Sequence, residues 1–174
     1  MSPLLEFFLL PGQAVVTPRP SRVTTLLGSC VAVIFYSTRL GRGVVAHSML
    51  SVCPRREGCR KVCKETYRYV DCSVKQLLTV MDGWGEKAEN LQAKLFGGAD
   101  MYGPGGERTV GRLNVLKAKE AIAGAKVPLV AEEIGGREGR KIIFFTHTGE
   151  VLLVRRSSLS AEEGDGAVWD RERR

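Results

Sequence analysis

The sequence has few histidines, few aromatic residues and no long apolar run, and each shortage argues against a class of protein. No window approaches the roughly 18 apolar residues that a membrane-spanning helix needs, so membrane insertion is not predicted. Aromatic residues make up 7% of the chain and are scattered, while the 26 lysines and arginines are interleaved with acidic residues. A nucleic-acid-binding surface is therefore not indicated, and the formal charge of +7 favours solubility and weak attraction to acidic surfaces.

The two ends of the chain carry no recognisable targeting or folding signal. The opening segment has no basic start and no small-residue cleavage site, and Glu6 interrupts its apolar run, so a signal peptide is not predicted. We expect a cytoplasmic protein with reduced cysteines. At 174 residues the length suits one domain over residues 1–156, and the Ser-, Glu- and Gly-rich segment 157–174 is typical of a disordered tail.

Metal and cofactor signatures are also missing. Four of the five cysteines lie in a polar, basic stretch, at Cys53, Cys59, Cys63 and Cys72. Their spacing matches none of the usual C-x2-C pairs, so reduced thiols are the preferred interpretation, with a metal site or a disulfide from Cys53 to Cys59 or Cys63 as alternatives. The run Gly97-Gly98-Ala99 is followed by no P-loop lysine and has no Rossmann spacing. We therefore predict neither a metal nor a cofactor.

The fifth cysteine, Cys30, follows a Gly28-Ser29 break between two apolar segments, residues 23–27 and 31–36. Both segments are near-continuously apolar and rich in β-branched or aromatic residues, which predicts a pair of strands buried on both faces. A cysteine beside such a strand is usually a core residue. At a corner with small neighbours, however, the same thiol is accessible to a substrate.

A third strand is predicted at residues 44–46, after a glycine turn, and it ends at His47. If these strands pair antiparallel, His47 returns to the side of Cys30. A thiol and an imidazole are the minimum parts of nucleophilic acyl chemistry, because the imidazole takes the thiol proton and later activates water. The pair is a candidate site on this ground alone.

The rest of the chain alternates helices and strands joined by short turns, which predicts a layered α+β sandwich with mixed or antiparallel sheets and two main helices outside. Apolar stripes predict one helix from Val70 to Met81, ended by Gly83, and another through Val115, Ala118, Ile122 and Ala125. Further strands are predicted at residues 13–16, 91–96 and 129–132, and as a hairpin of 142–146 with 151–154, while residues 4–10 are either a first strand or an N-terminal arm.

Five blocks of this sequence, in order, resemble the CheD family of bacterial chemotaxis. They are Thr25-Leu-Leu-Gly-Ser-Cys-Val-Ala-Val, Ala46-His47-Ser-Met-Leu50, Lys94-Leu-Phe-Gly-Gly-Ala-Asp-Met101, Val110-Gly-Arg-Leu-Asn-Val115 and Val130-Ala-Glu-Glu-Ile-Gly-Gly136. The resemblance runs from about Gln13 to Arg155. It implies a fold like that of the catalytic domains of deamidating bacterial toxins.

The resemblance also implies an activity. Members of this family hydrolyse particular glutamine side chains on methyl-accepting chemotaxis receptors to glutamate, and some also hydrolyse glutamyl methyl esters. The family's catalytic cysteine and histidine fall on Cys30 and His47, and its threonine, six residues before the cysteine, falls on Thr24 rather than Thr25. Strand alternation agrees with this choice, because Thr24 and Cys30 are an even number of residues apart.

Further site residues follow from the corner and from the glycine run. Backbone N–H groups of Gly28 and Ser29 are expected to hold the oxyanion, with Gly97 and Gly98 lining the substrate site. The alternative function is a non-catalytic regulator that binds receptors and a CheC-type phosphatase, since proteins of this family also bind such phosphatases. The expected contact surface for that partner consists of Phe96, Met101 and Tyr102.

Overall fold

The computed structural model describes residues 3–55, 63–101, 108–156 and 170–171, which form ten strands and two α-helices. The strands are β1 (Leu5–Phe8), β2 (Ala14–Val15), β3 (Ser21–Leu27), β4 (Val31–Ser37), β5 (Arg42–Ser48), β6 (Leu91–Gly97), β7 (Leu129–Ile134), β8 (Gly139–Phe145), β9 (Val151–Arg156) and β10 (Asp170–Arg171). The helices are α1 (Val70–Gly83) and α2 (Val110–Gly124), with short 3-10 turns at Thr66–Arg68 and Ala88–Asn90.

The strands form two five-stranded mixed sheets. The outer sheet has the order β1-β3-β8-β9-β10, and the central sheet has the order β2-β5-β4-β6-β7. Neighbours are antiparallel except for the parallel pairs β1–β3 and β6–β7. The predicted α+β sandwich is confirmed. The predicted hairpin is confirmed as well, with Ile142 opposite Leu153 in β8 and β9.

The central sheet is buried on both faces because it lies between the outer sheet and the helices. Along β4, Val31, Val33 and Phe35 pack toward α1 and α2, whereas Ala32 and Ile34 pack toward the outer sheet. All seven residues of β4 are buried, which explains its unbroken apolar sequence. The space between the two sheets is therefore a second core, separate from the core beneath the helices.

Both helices follow the predicted apolar stripes. In α1, Val70, Val74, Leu77 and Met81 are buried against the central sheet. Helix α2 begins one turn earlier than its stripe suggests, because the Thr109 hydroxyl accepts a hydrogen bond from the Arg112 N–H and caps the N-terminus. Among the described residues, no helix is long and apolar enough to cross a membrane.

Two expectations about the strands are wrong. Strands β3 and β4 do not pair, because the chain crosses from the outer sheet to the central sheet between them. Nor is β3 buried on both faces: Arg22 and Leu26 are exposed on the outer side of its sheet. The expected disordered tail falls mostly outside the described residues, and residues 170–171 pair with β9.

Candidate active site

The nucleophile candidate Cys30 lies on the crossover between the two sheets. Its corner is fixed from the β6 side, where the Gly98 N–H donates to the Cys30 carbonyl at 2.8 Å and the Ala99 N–H donates to the Gly28 carbonyl at 2.9 Å. The thiol is half-buried and packs against the edge of the core between the sheets. A side chain at this position meets both the protein interior and solvent, as a nucleophile for a large substrate must.

His47 lies one strand away, on the same face of the central sheet. In the β4–β5 ladder it stands opposite Ala32, which is two residues after Cys30. Cys30 directly precedes β4, and its thiol packs against the same inter-sheet core as Ala32, so Cys30 and His47 lie on the same side of the central sheet. The predicted antiparallel return of the third strand toward the cysteine is therefore present, as the pairing of β5 with β4.

The imidazole of His47 is oriented by a relay of two hydrogen bonds. The Thr25 hydroxyl donates to the Leu9 carbonyl at 2.6 Å, and its oxygen lies 2.8 Å from His47 Nδ1. A carbonyl can only accept, so the single hydroxyl proton of Thr25 is used on Leu9, and Thr25 must accept from Nδ1–H. His47 is thereby held as the Nδ1–H tautomer, with a free lone pair on Nε2.

The structure places Thr25 against the imidazole of His47, whereas the family resemblance implied Thr24. The inner face of β3 carries Val23, Thr25 and Leu27, whereas Thr24 points to the opposite face and is half-buried. The argument from alternation with Cys30 does not hold because the chain changes sheets between the two residues. Val23 and Leu27 are apolar and lie two positions on either side of Thr25. This period of two in the sequence was the signal that could have placed Thr25 on the buried face.

Burial makes the resting pair neutral. It lowers the pKa of His47 from 6.5 to about 4, an effect only partly opposed by the Leu9 backbone. Burial also raises the pKa of the Cys30 thiol, and the residue's own backbone N–H opposes this. At neutral pH the site holds a thiol and an uncharged imidazole, so proton transfer must accompany nucleophilic attack.

No hydrogen bond joins the thiol to the imidazole in the described part of the chain, where His47 Nε2 is buried without a partner. A buried acceptor without a partner is unfavourable by about 1–3 kcal/mol, and such groups concentrate at functional sites. Catalytic hydrogen bonds are often long before substrate binds and shorten in the complex. The free Nε2 is thus available to a proton donor that arrives with, or is moved by, the substrate.

The burial of His47 predicts that acid destabilises the fold. Between pH 6.5 and about 4 the unfolded chain binds a proton at this residue and the folded protein does not, so the free energy of unfolding falls as the pH falls through that window. The shift corresponds to a loss on the order of 3 kcal/mol. Urea unfolding from pH 7 to pH 4 should show this loss relative to His47→Asn, and parallel curves for the two proteins would contradict it.

The glycines at the end of β6, Gly97 and Gly98, pack closely against the cysteine corner. Gly97 has φ +108°, and a Cβ there would lie 2.2 Å from the Cys30 carbonyl oxygen. Gly97 and Gly98 are both buried, so they position the corner; they do not present a lining to solvent. Gly28 is covered by the Met101 side chain, whose sulfur would lie 2.5 Å from a Cβ at Gly28.

We expect Gly97→Ala to destabilise the protein by about 2–6 kcal/mol, because strain at this φ and overpacking each contribute roughly 1–3 kcal/mol. The matched control is Gly83→Ala at the end of α1, where an added Cβ meets nothing within 4 Å. The control should be neutral or slightly stabilising. Chemical denaturation measures both variants, and equal effects would show that the close approach to Cys30 is unimportant.

The structure exposes only part of the surface that was predicted to contact a CheC-type phosphatase. Phe96 is 1% exposed and packs in the core between the sheets, so it cannot offer a contact to another protein. Its position in a strand buried on both faces explains this. Met101 is 41% exposed beside the corner, and Tyr102 lies outside the described residues.

Sequence reasoning missed the buried Arg140, which fixes the same glycine run. One of its terminal nitrogens donates to the carbonyls of Gly97 and Glu133, at 2.6 and 3.0 Å, and the other to Gly135 at 2.5 Å. The residue is 4% exposed and burial lowers the pKa of its guanidinium. A charged residue near the start of an apolar strand was the available signal, but the contact with Gly97 spans 43 residues and no local pattern predicts it.

The cysteine-rich segment contributes no metal centre in the described part of the chain, where no group of three or more suitable side chains was found. Cys53, Cys63 and Cys72 are free thiols, and Cys59 lies outside the described residues. Burial, with Asp71 and Cys53 nearby, raises the pKa of Cys72 to about 12. Because metal ligation needs a thiolate, this environment disfavours Cys72 as a ligand.

A neutral thiol just before β4 and a tautomer-fixed imidazole on the neighbouring strand β5 are the parts of a thiol-dependent acyl hydrolase. The chain matches the family model described as CheD chemotactic sensory transduction over residues 52–155, a segment that begins after His47. The chain belongs to the CheD family.

Curated relatives cover almost the whole chain. It is 37% identical over 160 residues, 91% of this chain and 95% of the relative, to the probable chemoreceptor glutamine deamidase CheD 2 of Geobacter sulfurreducens. It is 37% identical over 155 residues to the probable chemoreceptor glutamine deamidase CheD of Trichlorobacter lovleyi, covering 88% and 92% of the two chains. It is 40% identical over 138 residues to the like-named CheD 2 of Geobacter metallireducens, covering 76% and 82%.

Proposed function

We propose that this protein is a chemoreceptor glutamine deamidase, which hydrolyses glutamine side chains on the cytoplasmic coiled coil of chemotaxis receptors to glutamate and releases ammonia. Family membership and the names of the relatives support the substrate class. The observation that carries the chemistry is the Leu9–Thr25–His47 relay, because it leaves a free Nε2 lone pair on the face that Cys30 shares.

In the first half-reaction His47 Nε2 takes the thiol proton as the Cys30 sulfur attacks the glutamine Cδ. A C–S bond forms, and the amide oxygen becomes an oxyanion. The imidazolium then gives its proton to the amide nitrogen, the C–N bond breaks and ammonia leaves. Because burial opposes a lasting charge on the imidazole, the proton is passed on readily to the leaving group.

The oxyanion is stabilised by backbone N–H groups at the corner of Gly28, Ser29 and Cys30. The Gly28 carbonyl accepts a hydrogen bond from the Ala99 N–H, and the Cys30 carbonyl accepts one from the Gly98 N–H. These two bonds fix the orientation of the corner backbone. The Cys30 amide lies close enough to its own sulfur to lower the pKa of the thiol. An N–H on that side is well placed for the charge that develops on the oxygen of the carbon that the sulfur attacks.

In the second half-reaction water attacks the thioester while His47 Nε2 accepts one of its protons. Collapse of the tetrahedral intermediate breaks the C–S bond, the sulfur recovers the proton and glutamate is released. Thr25 remains hydrogen-bonded to Nδ1 throughout and keeps the ring in one tautomer. Every proton moved in the cycle thus passes through a single nitrogen.

The alternative of a regulator that binds a CheC-type phosphatase has less support. Of the residues predicted for that contact, Phe96 is buried and Met101 covers Gly28 beside the nucleophile. An exposed residue at that place serves substrate selection as readily as partner binding.

The function is tested by incubating the protein with the cytoplasmic coiled-coil fragment of a chemotaxis receptor. Peptide mass mapping should show conversion of a few defined glutamines to glutamate. The amount of ammonia released should equal the amount of glutamate formed. A receptor fragment that stays unmodified, with folded protein present, would overturn the proposal.

A further inference from the structure

One buried side chain joins the two segments that carry the thiol and the imidazole. Asn114 on α2 is 0% exposed, and its Nδ2 donates to the Ser29 carbonyl and to the Met49 carbonyl, each at 2.9 Å. Carbonyls only accept, so the amide orientation is unambiguous and both of its N–H groups are used. Ser29 directly precedes Cys30, and Met49 is two residues after His47.

The bridge lies where the strand ladder ends. The last paired residues of β4 and β5 are Val31 and Ser48. Beyond them the β5 chain turns away, because the N–H groups of Met49 and Leu50 both donate to the Arg68 carbonyl. The ladder therefore no longer holds the chain before Val31 against the chain after Ser48.

The cysteine corner is held on its other side by the amides of Gly98 and Ala99, which tie it to β6. On the β5 side, past the last ladder pair, the connection found in the described residues is Asn114. From this geometry we infer that Asn114 is a positioning residue, which sets the distance between the Cys30 thiol and the imidazole of His47. The inference rests on the proposed function.

The bonding of Asn114 is unusual for a residue with a purely structural role. Its Oδ1 is buried and has no partner among the described residues. An unsatisfied buried acceptor is unfavourable, and an apolar residue at this position would avoid it. Asn114 also interrupts an apolar stripe, since Ala118 and Ile122 follow at intervals of four on the buried face of α2. Asn114 instead donates two hydrogen bonds, one to the segment that carries Cys30 and one to the segment that carries His47.

We expect Asn114→Ala to fold, because Asn114 lines a pocket of about 300 Å³ and shortening its side chain opens a path for water from this pocket to the two carbonyls. Water replaces the hydrogen bonds but does not hold the two segments at one distance. We therefore expect kcat for receptor deamidation to fall about 10- to 100-fold with KM little changed, since small misplacements of reacting groups have effects of this size. The nearly isosteric Asn114→Asp, which lacks the double donor, should behave alike.

The matched control is Ser73→Ala. It removes the buried 2.7 Å hydrogen bond between Ser73 on α1 and Ser48, the residue after His47. We expect the control to lower the melting temperature to an extent comparable with Asn114→Ala and to leave kcat unchanged. If both variants lower kcat equally, or if neither Asn114 variant lowers it, Asn114 only stabilises the fold and the inference fails.

A second measurement separates this inference from the proposed function because it needs no receptor. The rate at which iodoacetamide alkylates Cys30, followed by mass mapping of the Cys30 peptide from pH 6 to pH 9, reports how well His47 assists removal of the thiol proton. Both Asn114 variants should slow alkylation at neutral pH relative to wild type and Ser73→Ala. Unchanged alkylation profiles would reject the positioning role, even if the wild type proves inactive on receptors.

Discussion

Replacing Cys30 with alanine should reduce receptor deamidation to background, because among the described residues Cys30 is the thiol on the side of the central sheet that carries His47. The thiol is half-buried at the edge of the core, so its loss should change the free energy of unfolding by no more than about 1 kcal/mol. Ammonia release and mass mapping of the receptor fragment measure activity, and chemical denaturation measures stability.

The control for this variant is Cys72→Ala, since Cys72 is another partly buried thiol and lies on the first turn of α1. Cys72 has a raised pKa and lies on α1, which packs on the opposite face of the central sheet from the relay, so its removal should leave deamidation unchanged. Wild-type activity in the Cys30 variant would remove this residue from the mechanism. Equal loss in both variants would indicate that the assay reports thiol loss in general.

Replacing Thr25 with valine should lower kcat by about 100-fold, the scale expected when a general base loses its fixed tautomer and orientation. Valine has nearly the shape of threonine but cannot accept from His47 Nδ1 or donate to the Leu9 carbonyl. Thr25→Ser retains the hydroxyl and should recover most of the activity. Steady-state kinetics on the receptor fragment measures all three proteins.

Thr24→Val is the matched control, because it makes the same chemical change one residue away on the opposite face of β3. We expect its kcat to stay close to that of the wild type. The reverse outcome, with Thr24→Val inactive and Thr25→Val active, would support the residue chosen from the family spacing. It would also mean that the relay seen in this structure is not the one used in catalysis.

The sequence predicted the parts of the fold that depend on local patterns. The stripe of Val70, Val74 and Leu77 predicted α1, and the hairpin of β8 and β9 followed from two apolar runs around a short turn. The site residues Cys30 and His47 were singled out because few residue types can perform acyl chemistry. Cys30 directly precedes β4 and His47 lies in β5, and both are on the side of the central sheet that faces the outer sheet.

What the sequence could not predict depends on how the chain passes between sheets. The apolar runs around Cys30 look like a hairpin, yet β3 and β4 belong to different sheets. The family spacing implied Thr24, and the alternation of faces agreed with it only if the chain stayed in one sheet. Because the chain changes sheets before Cys30, the alternation is reset and Thr25 faces His47. The contacts of Asn114 with Ser29 and Met49 span 85 and 65 residues, distances at which local patterns carry no information.

The central claim is that the Cys30 sulfur becomes bonded to the glutamine carbon during turnover. Rapid acid quenching of wild-type protein with the receptor fragment, followed by peptide mass mapping, tests this directly. The account predicts a thioester between Cys30 and a receptor glutamine residue, lost on longer incubation and captured as a hydroxamate when hydroxylamine is present. Glutamate formed at the full rate with no adduct and no hydroxamate would contradict it.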